Sequence, residues 1–202
     1  MTDTQKKPLW KNELVWLFLI TSGLFAILYS KFILGGYAYV FTDTGADTMQ
    51  INYAQYGLFS SLFRSGESGY VLQAGLGMDV SSYYPAYLIP YNLLILLAPQ
   101  RLLPWAVLAS AYLKMITISL VGYLFYRKLM QDGIGTMAAA LAWTFSGYVI
   151  LWGQHYGFCT CMALFTVFMY FLQCYLNGEQ RWKSAGLVIT VTMLLISSYY
   201  FL

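Results

Sequence analysis

Apolar residues run almost unbroken through four stretches of the chain, roughly 14–34, 102–126, 134–152 and 158–176. A fifth stretch begins near Ser184 and is still apolar at Leu202. A helix needs about 20 mostly apolar residues to cross a hydrocarbon core, and each complete stretch meets that length. The pattern predicts an all-α, polytopic membrane helical bundle. Residues 1–13 precede the first span over 14–34, a large loop occupies 35–101, and spans two to five fill 102–202. The last span is cut by the chain end, so the sequence is expected to be the N-terminal part of a longer protein. The first stretch follows Lys6, Lys7 and Lys11 as a signal peptide would. Its apolar core is too long, and no small-x-small cleavage site follows closely, so it reads as a signal anchor.

The 35–101 loop carries its own periodicity. Within residues 47–64, Met49, Tyr53, Tyr56 and Phe59/Ser60 recur at helical spacing among polar neighbours, which predicts a helix lying along the membrane surface. "RSGESG", 64–69, is a turn, and "AGLGMD", 74–79, is glycine-rich. The apolar run 83–99 is broken by Pro85, Pro90 and Pro99. It is read as an interfacial or re-entrant helix rather than a sixth span.

Composition agrees with a membrane environment. The 202 residues are 59% hydrophobic and only 9% charged, too little charge to cover a soluble domain. The 19 tyrosines suit a protein with much membrane-interface surface. Basic residues decide the orientation. Lys6, Lys7, Lys11, Arg127, Lys128, Arg181 and Lys183 fall on one side if the spans alternate, and that side is the cytoplasm. Lys31, Arg64 and Arg101 fall on the other. The N-terminus is thus expected inside, with the 35–101 loop and the short turn "GQHYG", 153–157, outside. Short basic clusters beside apolar runs, with a net charge of +3, argue against a nucleic-acid partner. Cys159, Cys161 and Cys174 share one apolar segment. They fit neither a disulfide framework nor a zinc site and are read as buried small residues.

The candidate chemistry is concentrated outside. Asp43 and Asp47 lie four apart in "FTDTGADTMQ", with Gly45 between them permitting a tight turn. Asp47 with Gln50 also has the form of a helix-capping box; that does not account for Asp43. Asp79, after "GLG", is either a turn residue or a third carboxylate. Acids grouped near a membrane surface suit proton abstraction from a hydroxyl, or a divalent cation held against phosphate oxygens. Metal dependence stays open. His155, the single histidine, sits on the same side and suits phosphate binding or proton exchange near neutral pH. Lys114 falls near the middle of the second span. A charge there costs on the order of 3 kcal/mol on insertion scales and marks a functional site by default. Its expected partner is an anionic phosphate or an acid in the rest of the chain. There is no Walker A loop, strand-associated G-x-G-x-x-G, H-E-x-x-H or G-x-S-x-G.

The ordered set "TDTGADTMQINYAQY", "AGLGMDVSSYYPAYLIPYNLLILL", "LKMITISLVGYLFYRKL", "LAWTFSGYVILWGQHYGF" and "SSYYF" resembles the YfhO family of bacterial multispanning membrane proteins. The D-x-G-x-D-T element and the F-S-G-Y run followed by His are the most telling parts. The resemblance covers nearly the whole chain. It implies a GT-C-like N-terminal module in a multi-pass bacterial cell-membrane protein longer than this chain. The implied activity is a glycosyltransferase that takes sugar from a polyprenyl-phosphate donor and modifies a cell-wall polymer such as lipoteichoic acid. In that superfamily an acid of the first outer loop is the catalytic base or helps bind metal, a role that carries over to Asp47, favoured, or Asp43. His155 and Lys114 become contacts to the donor phosphate; Arg64, Arg101, Gln50 and Asp79 are further substrate-side candidates. The alternatives are a lipid-linked-sugar transporter or flippase, using Lys114 to carry an anionic headgroup, and a scaffold without chemistry.

Overall fold

The computed structural model describes residues 12–41, 48–67, 69–72, 77–79, 81, 89–130, 132–179 and 181–197. These residues are mostly helical. Three helical stretches are long and apolar enough to cross a membrane: Gln100–Leu129, Gly133–Gln154 and Tyr156–Leu176. Two shorter apolar helices, Glu13–Leu28 and Trp182–Ser197, flank them.

In chain order, α1 is Glu13–Leu28 and α2 is Ser30–Leu34, separated at Tyr29. A π-helical turn, Thr48–Tyr53, leads into α3, Ala54–Ser65. Two short antiparallel strands, β1 (Tyr70–Val71) and β2 (Met78–Asp79), pair Tyr70 with Asp79. Then come α4 (Pro90–Leu97), a 3-10 turn at Gln100–Leu102, and α5 (Leu103–Leu129). α6 (Gly133–Thr144) and α7 (Gly147–Leu151) continue through a 3-10 turn, Trp152–Gln154, to α8 (Tyr156–Leu176) and α9 (Arg181–Ser197).

Local chemistry sets the helix ends. Asn12 caps α1 by accepting from Leu14 N at 3.0 Å. Asp132 caps α6 by accepting from Ile134 N and Gly135 N at 3.2 and 2.7 Å. Both satisfy amides that a helix leaves unpaired. Proline opens α4 and α5, where its missing N–H costs nothing. Arg127 and Lys128 close α5, where the helix dipole favours cations. Gly66 ends α3 at a φ of 74°, and Glu67 N returns to Leu62 O at 3.0 Å, the hydrogen-bond pattern of a left-handed helix stop.

α5 is the central helix. It packs against α1, α4, α6 and α8; α8 packs on α9, and α3 on α4. Interhelical hydroxyl bonds hold these faces in register. Thr21 shares a 2.7 Å bond with Ser119, Ser22 a 2.8 Å bond with Tyr112, and Trp143 Nε1 donates to Thr166 Oγ1 at 2.9 Å. Such bonds contribute about 0.6 kcal/mol each inside a membrane. Gly186 of α9 lets the Phe171 ring approach; a Cβ there would stand 2.6 Å from the ring.

The first expected span is helical on both sides of Tyr29 rather than one continuous helix. The third is interrupted at Phe145–Ser146. In the 47–64 stripe, Tyr56, Phe59, Ser60 and Leu62 are buried, but Met49 is 47% exposed. The π winding of 48–53 turns Met49 away from the face that the α-helical spacing assigned to it. α3 packs that face on α4. Ser60 Oγ donates to Ala98 O at 2.6 Å, and Gln100 Nε2 to Gly57 O at 2.6 Å. Of the proline-broken run 83–99, residues 83–88 lie outside the described residues. The rest contains α4, about 12 Å long at 1.5 Å per residue.

At the end of the bundle away from α3 and α4, Glu179 accepts from both Lys128 and Lys183. The two ammonium groups lie over the Tyr170 ring, 5.6 and 6.0 Å from its centroid. Hydrogen bonds from Lys128 and then Lys183 pull the Glu179 carboxyl down to about 2 from its ordinary 4.5. A depressed carboxyl stabilises the fold above its unfolded value and loses that effect as pH falls through the folded value. Thermal stability in detergent is therefore expected to fall as the pH drops from about 4.5 to about 2. Glu179→Gln should flatten that window; an unchanged acid slope in the variant assigns it to other groups.

Candidate functional site

Lys114 is the best-defined of the candidates. It is 2% exposed, and its Nζ donates to the main-chain carbonyl of Tyr156 at 3.1 Å. Its described partner is thus a neutral main-chain carbonyl. Thr160 Oγ1 donates to the same oxygen at 3.1 Å. Lys114 lies eleven residues into α5 from Leu103, roughly 16 Å along the helix axis. Its bond therefore places the start of α8, and the turn before it, well below the head of α5. One turn earlier on the same face is Ser110, which is 1% exposed and whose Oγ has no hydrogen-bond partner among the described residues. Helical side chains lean toward the N-terminus, so the lysine stem runs over the Ser110 turn.

His155 stands directly before Tyr156, between the 3-10 turn and α8. Its backbone N–H donates to Trp152 O at 3.0 Å. Its half-buried ring lies 5.6 Å from Trp152 and 5.4 Å from Phe158.

Asp43 and Asp47 fall within 42–47, outside the described residues. The chain on both sides of them is well anchored, and on one surface. Before them, Tyr39 Oη donates to Gly153 O at 3.2 Å, and Tyr156 Oη donates back to Tyr39 O. After them, the fully buried Thr48 donates its hydroxyl to Gln154 O at 3.0 Å. The Tyr156 ring also stacks on Tyr56 of α3, 5.4 Å between centroids and 14° from parallel. Burial, with the Tyr29 hydroxyl beside it, pushes the Tyr39 phenol far above its usual range, so it remains a donor.

The other candidates stand on the exposed surface at the α3–α4 end. Gln50 is in the π turn, Arg64 in the last turn of α3, and Arg101 in the 3-10 turn before α5. Asp79 is exposed on β2 and is bound by its own turn: Ser81 Oγ and Ser81 N donate to it at 2.6 and 3.0 Å. The hydroxyl bond, then the amide bond, hold its carboxyl below the usual range, which makes it a weaker base. Gly77, at a φ of 105°, lies under the Tyr70 ring, where a side chain has no room. Among the described residues no three His, Cys, Asp or Glu side chains converge as a metal ion would require.

The structure thus joins Lys114 and the His155 turn through Tyr156. It also adds Tyr39, Thr48 and Tyr156, which sequence reasoning passed over. Their only sequence signal was position: Tyr39 and Thr48 bracket the acid segment, and Tyr156 follows the single histidine. Family models, curated proteins and solved structures contain no match to this chain.

Thr48→Val keeps the shape and removes the bond to Gln154 O. It is expected to cost about 1 kcal/mol, a fall in Tm of about 2–4 °C for a chain of this size. Thr48→Ser should retain most of it. Equal melting of all three forms would show the bond to be energetically idle.

Proposed function

We propose that this chain is the N-terminal module of a YfhO-type, GT-C-like membrane glycosyltransferase. Its donor is a polyprenyl-phosphate-linked sugar. Its acceptor is a hydroxyl of a cell-wall polymer, such as lipoteichoic acid, on the outer face of the bacterial membrane, with the N-terminus cytoplasmic. The observation that carries this reading is the shared anchor. The chain entering and the chain leaving the Asp43–Asp47 segment are both hydrogen-bonded to the turn that bears His155, and Lys114 touches that same turn.

In the inverting reaction the acceptor oxygen forms a bond to the sugar's anomeric carbon as the carbon–oxygen bond to phosphate breaks. Asp47, or Asp43, receives the hydroxyl proton, and the electron pair leaves on the polyprenyl phosphate. A carboxylate near pKa 4 is a weak base unless desolvation or a neighbouring acid raises it, and two aspartates four apart can do that for each other. Lys114 and His155 would meet the leaving phosphate. Lys114 brings a cation whose one described bond is to a neutral carbonyl, beside the buried Ser110 hydroxyl, which has no partner among the described residues, and phosphate oxygens would complete both. Gln50, Arg64, Arg101 and Asp79 would act at the exposed rim, on acceptor or donor. A divalent cation, if one takes part, would draw on Asp43, Asp47 and Asp79.

One observation favours the transporter reading. The membrane-length stretch Gly133–Gln154 is interrupted at Phe145–Ser146, and broken helices line substrate paths in many transporters.

The discriminating measurement is sugar transfer by the complete protein in vesicles supplied with outer-leaflet donor. Asp47→Asn is expected to lower turnover by about 10²–10⁴-fold while donor binding persists. Lys114→Met should weaken donor binding by about 10–100-fold. Full transfer by Asp43→Asn combined with Asp47→Asn removes the base assignment. Headgroup translocation without transfer by the wild type selects the transporter, and wild-type transfer excludes a scaffold.

A further inference from the structure

Tyr156 meets Lys114, Tyr39 and Tyr56 with three different groups. Its main-chain carbonyl accepts from the Lys114 ammonium at 3.1 Å. Its hydroxyl donates to Tyr39 O, three residues before the 42–47 segment. Its ring stacks on Tyr56, in the helix that follows that segment. It is 3% exposed, so these contacts are made away from water, where an unmade hydrogen bond is costly. The neighbouring carbonyls of the same turn, Gly153 and Gln154, take the hydroxyls of Tyr39 and Thr48. The chain entering 42–47 and the chain leaving it are therefore fixed to one short piece of backbone, and Tyr156 fixes that backbone to the buried lysine.

We propose that Tyr156 is a positioning residue of the transferase site: its hydroxyl holds Tyr39, just before residues 42–47, on the same residue whose carbonyl accepts from Lys114. This rests on the glycosyltransferase reading for its catalytic consequence, but not for its structural one. A base and a leaving-group contact must be held in fixed relation for transfer. A displacement of about 1 Å can cost on the order of 100-fold in rate. Tyr156 achieves this by dividing its atoms: the carbonyl serves Lys114, the hydroxyl serves Tyr39, and the ring serves α3.

That division makes Tyr156→Phe a clean probe. It keeps the ring stack and the carbonyl and deletes only the hydroxyl. The complete protein is reconstituted in nanodiscs, and three quantities are read: amide hydrogen exchange, binding of undecaprenyl phosphate, and turnover in the transfer assay. Exchange over 37–41 and 48–53 is expected to rise on the order of tenfold, with exchange over 111–122 of α5 unchanged. Undecaprenyl phosphate should bind within about twofold of wild type, because the Lys114 contact survives. Turnover should fall by about 10–100-fold, so the loss appears in kcat and not in KM for the donor.

Unchanged exchange at both flanks overturns the proposal. So does exchange that rises equally in α5, which would make Tyr156 an ordinary stability residue. An unaltered kcat in a variant with loosened flanks overturns it as well. If the flanks loosen as described while the wild type transfers no sugar, the clamp stands and the glycosyltransferase reading falls.

Discussion

An ammonium group buried in an apolar helical bundle must find an oxygen, and in this molecule it finds the carbonyl of Tyr156. Much of the arrangement follows from that one bond. It sets α8 to begin some eleven residues below the head of α5. The upper part of α5 is then left without α8 beside it. α4 packs along α5, and α3 packs on α4. The aromatic rings of Tyr29, Tyr39, Tyr156 and Tyr56, in that order, continue the contact, each within 6 Å of the next. Shallower seating of α8 would leave Lys114 facing hydrocarbon, at a cost comparable to several interhelical hydroxyl bonds.

Breaking a helix inside an apolar environment frees backbone groups that water cannot satisfy. Each break here is closed locally. At the α1–α2 junction Tyr29 N returns to Phe25 O at 2.9 Å and Ile33 N to Tyr29 O at 3.1 Å. At the α6–α7 junction Phe145 N returns to Leu141 O at 2.9 Å and Ile150 N to Ser146 O at 3.0 Å. The hydroxyl oxygen of Ser146 is the exception, shielded from solvent without a partner among the described residues. The breaks are placed where they serve the centre of the molecule. The first turns Tyr29 toward Tyr39, and the second brings the chain round to Gly153–Tyr156.

The helices were legible because apolar length is a local property; the capping chemistry at their ends is local too. Asn12, Asp132, Pro90, Pro104 and the Arg127–Lys128 pair sit at helix ends for reasons contained in a few neighbouring residues. The interruptions at Tyr29 and Phe145–Ser146 were not legible, since both segments keep enough apolar residues to read as continuous. Met49 fits an α-helical stripe in sequence and leaves it in space because the backbone there is wound as a π turn. The candidate site was legible only in part. Lys114 stood out by charge. Its partner did not, because a main-chain carbonyl leaves no mark in a sequence. Tyr39, Thr48 and Tyr156 are tertiary choices among 19 tyrosines and many hydroxyls, fixed by contacts more than a hundred residues apart in the case of Tyr39 and Thr48.

The winding at 48–53 also bears on how the chain is held where α3 approaches the bundle. A capping box needs an α-helical first turn, so that the capping side chain meets the third amide and the third side chain returns to the cap. Residues 48–53 are π-wound, Gln50 is exposed, and α3 starts at Ala54 without a side-chain cap. The hydroxyl next in sequence, Thr48, is turned away from its own helix to Gln154. Anchoring at this point of the chain is performed by Thr48. A residue that opens a π turn and is bonded to a carbonyl more than a hundred residues away fixes where that turn starts against Gln154.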